Sequence, residues 1–187
     1  MQKKVALSDA LREQAWDIVT LQQVSGQSGR PQSYFPYLSE LAALVRRECP
    51  AAKLYFHQTW SYEIDSDHGD FPAYNRDQAE MDRRIADATE MASRLLGVPR
   101  IRVGEVVRRL RQEPLFDYAN GGVSLNRDGF HLTWIYGRYA AAATWCATLF
   151  GADIEKAADF LPQTEDETAD PTVLATIRRV VQEVVKE

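Results

Sequence analysis

Trp16-Asp17-Ile18-Val19-Thr20-Leu21-Gln22 sets β-branched and apolar residues side by side without helical spacing, which reads as a buried strand. Together with the elements downstream, this strand decides the fold class. The loop Ser25 to Pro36 is rich in Gly, Ser and Pro, and then Leu38, Leu41, Ala42 and Val45 recur at helical spacing up to Cys49-Pro50, where proline ends the helix. A second strand is expected over Lys53-Leu54-Tyr55-Phe56-His57-Gln58. Met81, Ile85, Ala88, Ala92 and Leu95 share the next helical face, with Gly97 where a C′ residue belongs. A third strand, Arg100-Ile101-Arg102-Val103, leads into a short helix from Glu105 to Arg111. Strand alternating with helix three times predicts a parallel sheet covered by helices. Its functional loops should open at the carboxyl ends of the strands, here at Gln22, Gln58 and Gly104.

Outward from this frame, a short helix is expected from Ser8, as N-cap, towards Ala15. Residues 112–127 read as irregular, and Leu132 to Phe150 as a helix with Tyr136, Ala140, Ala143, Ala147 and Phe150 on one side. The tail changes character. Glu165, Asp166, Glu167 and Asp170 form an acidic connection, and Asp170-Pro171 starts a helix lined by Val173, Ile177, Val180, Val181 and Val184. The sequence therefore divides into a domain over residues 1–160 and, over 161–187, an acidic linker with a C-terminal amphipathic helix.

A chain of 187 residues with 45% apolar and 26% charged content has the size and composition of one globular core. The net charge of -5 argues against nonspecific nucleic-acid binding, which calls for a basic surface. No apolar run is long enough to span a membrane. Met1 to Ala15 holds Lys3 and Lys4 but no apolar core of a secretory signal, and the sequence fixes no compartment. Cys49 and Cys146 lie far apart without metal-ligand spacing and read as packing residues. No metal and no cofactor are expected.

Three segments can carry chemistry. In Asp128-Gly129-Phe130-His131, a histidine can serve as general base while a carboxylate holds its tautomer and stabilises the imidazolium. The plainer reading is a helix cap beside a surface histidine. In Leu21-Gln22-Gln23-Val24-Ser25-Gly26, two amides leave a buried strand where they can either donate to an oxyanion or fix their own loop. The stretch from His57 to His68 places His57, Gln58, Trp60 and Tyr62 where flat apolar faces with polar edges suit a sugar, or simply pin a long loop.

Taken in order, Asp17-Ile18-Val19-Thr20-Leu21-Gln22-Gln23-Val24-Ser25, Pro36-Tyr37-Leu38, His57-Gln58-Thr59-Trp60, Arg127-Asp128-Gly129-Phe130-His131-Leu132 and Gly137-Arg138-Tyr139 resemble the SGNH/GDSL hydrolase superfamily. Within it they resemble a bacterial branch known as DUF4886, over about Trp16 to Gly151. The resemblance implies a flavodoxin-like three-layer α/β/α sandwich that hydrolyses esters of carbohydrates or small molecules. By that likeness His131 is the base, Asp128 its partner, and Gln22 or Gln23 stands at the oxyanion, with Ser25, His57, Gln58, Trp60 and Tyr62 around the substrate.

The family carries its nucleophilic serine in a Gly-Asp-Ser or Gly-Asn-Ser block after the first strand, and a helping Gly N–H after the second. Neither block is found in this sequence, which opens just before the counterpart of the third strand. Ser25, Ser28 and Ser33 stand on no sharp strand-to-helix turn that would make one of them a substitute. The expectation is an N-terminally truncated sandwich with three recognisable strands, whose exposed sheet edge is open to a second copy or another chain. Two readings result: an SGNH-type esterase domain without its nucleophile, inactive by itself, or a noncatalytic carbohydrate-binding or interaction module that retains the cleft.

Overall fold

Alternating strand and helix produce three parallel strands in the order β1 (Ile18–Leu21), β2 (Lys53–His57), β3 (Arg100–Ile101). The computed structural model describes residues 5–157 and 159–187. The register pairs Val19 with Leu54 and His57 with Ile101. Because side chains alternate along β2, Leu54 and Phe56 turn to one face and Tyr55 to the other. The first face is covered by α2 (Tyr37–Glu48) and α3 (Gln78–Leu96). The second is covered by a core built from α4 (Val103–Leu110), α5 (Tyr136–Phe150) and α6 (Pro171–Lys186). The result is the three-layer α/β/α arrangement that the sequence predicts. Phe56, 1% exposed, and Ile101, 0% exposed, each contribute roughly 1.5–3 kcal/mol by burial.

The helices begin and end for local reasons. Asp77 caps α3 by accepting from the Glu80 N–H, and Gly97 closes it at φ +63°, where a side chain would be strained. Asp170 caps α6 by accepting from the Thr172 N–H, with Pro171 in the first turn. The amphipathic tail helix is one wall of the second core: Leu174, Ile177 and Val181 are fully buried. At the other end, α1 (Leu7–Arg12) lies against α2, joined by Arg12 to Glu48.

Several boundaries differ from the expectation. β3 stops at Ile101 and α4 starts at Val103; at Gly104 this helix comes against the segment that follows β2, where a Cβ would lie 2.0 Å from the Thr59 carbonyl oxygen. α5 starts at Tyr136 rather than Leu132, since Leu132 bridges to Asn126 and the Thr133 N–H donates to the Leu125 carbonyl. Its buried face is Gly137, Tyr139, Ala140, Ala143, Thr144 and Ala147, which leaves Phe150 72% exposed and Tyr136 half-buried. Cys49 is buried and Cys146 exposed. Among the described residues the outer edge of β1 has no strand partner, and all four of its residues are half-buried.

Candidate active site

Between Leu125 and Thr133 the chain doubles back on itself, and this turn sets the acid and the histidine side by side. The Arg127 N–H donates to the His131 carbonyl, closing a loop whose tip is Asp128-Gly129-Phe130. Gly129 takes φ +80°, a backbone state that disfavours any residue with a side chain. The turn brings the Asp128 carboxylate under two backbone donors, from His131 at 2.8 Å and Phe130 at 3.3 Å. Its other oxygen lies 2.7 Å from His131 Nδ1. Partial desolvation pushes the Asp128 carboxyl up, but the His131 N–H, the imidazole and the Phe130 N–H together outweigh it and hold it down at about 2. Asp128 is thus an ionised acceptor that fixes the His131 ring and points Nε2 away from itself. Asp128 caps no helix here; its two N–H partners lie within the turn.

A buried polar pedestal holds this hairpin. Arg111 donates from Nη1 to Ser61 Oγ at 2.6 Å and from Nη2 to Asn126 Oδ1 at 2.6 Å. Glu63, 3% exposed, stands 3.9 Å from Arg111 and accepts from Gln78 and Ser124. The Glu63 N–H donates to the Gly129 carbonyl at 2.7 Å, so the pedestal touches the tip of the turn itself.

His131 opens on a cavity of about 310 Å³ lined by His57, Trp60, Arg127, Leu132 and Arg138. His57 forms its inner wall: Trp145 donates its indole N–H to Nδ1 at 3.0 Å, and burial lowers the imidazole to about 4. His57 is therefore neutral at neutral pH. Trp60 donates its indole N–H to the Phe130 carbonyl at 2.8 Å, which ties the cavity wall to the dyad loop. A larger cavity of about 560 Å³ lies between α3 and α4, with Asp82, Glu105, Arg108 and Arg111 in its wall. There Glu105 is already held by Arg108 and Arg109. The smaller cavity, with a base whose Nε2 makes no hydrogen bond among the described residues, is the better candidate for chemistry.

The other residues singled out from sequence separate into two groups. His57 and Trp60 join His131 in one cavity. Gln22 and Gln23 line a different one, with Tyr34 and Tyr37. The Gln23 amide is spent on its own loop, donating to Ser33 and accepting from the Val24 N–H, whereas Gln22 is exposed and carries no side-chain hydrogen bond. Gln58 is 3% exposed and accepts from the Glu105 N–H at the start of α4, a structural role. Tyr62 is fully buried, so it cannot lie along a sugar. Its hydroxyl meets Ser25 Oγ at 3.2 Å and His68 Nε2 at 3.5 Å, with Phe130 and His68 packed on its ring. Arg127, Arg138, Trp145 and the Arg111–Glu63 pedestal were not legible as site residues, because they converge from separate elements and share no spacing.

The family model described as Domain of unknown function (DUF4886) matches residues 1–176. A DUF4886 family protein from Bacteroides uniformis has a similar structure, with TM-score 0.83 and 28% identity over 96% of this chain and 66% of that one. The chain thus spans just under two thirds of that relative's length. A protein from Slackia heliotrinireducens described as "a putative SGNH hydrolase" shares the fold at TM-score 0.57 and 21% identity, over 75% of this chain and 69% of that one. Among curated proteins none matches the chain.

Proposed function

The chain belongs to the DUF4886 family, and from that premise we propose that it carries the acid–base half of an SGNH-type esterase acting on acylated carbohydrates. One observation carries the reading: His131 Nδ1 is held 2.7 Å from the Asp128 carboxylate at the mouth of a cavity walled by His57 and Trp60. In acyl transfer, His131 Nε2 takes the proton of the attacking hydroxyl and returns it to the leaving alcohol, while Asp128 stabilises the imidazolium between the two steps. Trp60 offers the half-buried aromatic wall that a sugar ring packs against. The fold shared with the Slackia protein supports the same class. Gln22 and Gln23 supply no oxyanion donor in this reading, because both line a cavity separate from that of His131.

No serine hydroxyl bonds His131 among the described residues, so the nucleophile in this reading comes from outside the described fold. The test is ester hydrolysis by this chain and by the full product of its gene. A burst with nitrophenyl acetate and a fluorophosphonate-labelled serine are expected only where a Gly-Asp-Ser or Gly-Asn-Ser segment is present. His131→Ala should then lower turnover about a thousandfold or more. A burst from this chain mapped to Ser25, Ser28 or Ser33, or activity that survives His131→Ala, contradicts the reading. The second reading, a binding module, is favoured by the same lack of a serine at His131. It predicts glycan binding without hydrolysis in every form of the protein.

A further inference from the structure

The cavity at His131 is cationic in a chain whose net charge is -5. Two arginines stand in its wall, and no carboxylate does. Arg127 and Arg138 both hold their guanidinium groups over the exposed indole of Trp134, at 4.3 and 3.7 Å from the ring centroid. Stacking of this kind fixes a guanidinium plane while leaving its N–H edge free to donate. Arg127 spends part of that edge, donating to the Leu132 carbonyl and standing 3.7 Å from Asp128. Arg138 spends none: among the described residues its side chain has neither an acid partner nor a hydrogen bond. It also sits in the first turn of α5, which contains no acidic residue, where the helix dipole disfavours a cation. Two guanidinium groups brought to one indole repel each other. Asp128, 3.7 Å from Arg127, is already occupied by His131 and two backbone donors.

We infer that Arg138, assisted by Arg127, receives an oxyanion group of the ligand beside His131, so that the substrate is an acylated sugar bearing an acidic group rather than a neutral one. A planar guanidinium edge fits a carboxylate or a phosphate with paired hydrogen bonds. The inference rests on the esterase reading for the identity of the scissile bond, but anion binding itself does not depend on it. Trp134 and Trp60 flank the two arginines and His131, and their indole N–H signals report occupancy.

The experiment titrates the chain with glucuronate, inorganic phosphate and glucose, following the Trp60 and Trp134 indole resonances and competing with sodium chloride. The expected result is saturable, salt-sensitive binding of glucuronate, phosphate or both, and none of glucose. Which anion binds tighter identifies the acidic group. Arg138→Ala and the milder Arg138→Gln should each weaken binding about tenfold. Arg47→Ala, removing an exposed arginine paired with Glu48 on α2, should not change it. No ester hydrolysis by any form of the protein, with anion binding retained, would sink the catalytic reading alone. Glucose binding as tightly as glucuronate, no binding of either anion, or undiminished binding in both Arg138 variants overturns the inference.

Discussion

Asp128 and His57 are moved by their surroundings for different reasons, and both shifts keep charge where the site needs it. Asp128 is held at about 2 by donors from its own turn, so it is anionic throughout the range in which an imidazole can work. His57, 6% exposed, is lowered to about 4 by desolvation, so it presents a neutral ring to the cavity. For His57 the unfolded chain binds the proton first as pH falls. Its contribution is therefore complete above the ordinary histidine value near 6.5 and is lost as pH falls from there towards 4. The full effect is roughly 3 kcal/mol. His57→Gln should flatten the loss of urea stability between about pH 7 and about pH 4.5, and an equally steep loss in the variant would contradict the assignment. The pair Asp128 and His131 was legible because the two lie three residues apart in one turn. The His57 environment was not: its partner Trp145 stands 88 residues away on α5.

The hairpin over residues 125–133 and the loop after β2 act as one element, joined through Glu63 and Arg111. Arg111 is the joint, since it holds Ser61 on one side and Asn126 on the other. Arg111→Leu leaves Glu63 buried without its cation and frees the base of the hairpin, at a cost of about 3–5 kcal/mol. Adding Glu63→Gln should recover part of that loss. Urea unfolding of both variants measures it, and a change below about 1 kcal/mol for Arg111→Leu would show that the pedestal is not structural. Long, periodic elements such as α2 and α3 could be read from sequence because one apolar face repeats in each. The start of α5 could not, because Leu132 to Ile135 continue the apolar pattern while their backbone pairs back with Leu125 and Asn126. The alanine-rich helix α5 is hard to read for a related reason: alanine packs on either side, and Phe150, grouped from sequence with Ala140, Ala143 and Ala147, lies outside while they are buried.

Across the whole molecule, the α/β class and the parallel sheet were legible because strand and helix periods alternate cleanly from Trp16 to Arg111. Which loops meet was not, because convergence depends on strand order and hairpin geometry. Sheet order β1-β2-β3 puts Gln22 and His131 in separate cavities although both stand in loops that the sequence marks as functional. Three layers, a buried pedestal and a cationic cavity thus converge on one imidazole, whose tautomer decides whether Nε2 can take a proton. Nitrogen-resolved NMR of neutral His131 measures it directly. The arrangement predicts the proton on Nδ1, donated to Asp128, with Nε2 bare, and a shift of that proton towards Nε2 in Asp128→Asn, whose amide can donate to Nδ1. A predominant Nε2–H form in the unsubstituted chain, or a tautomer unchanged by Asp128→Asn, would contradict it.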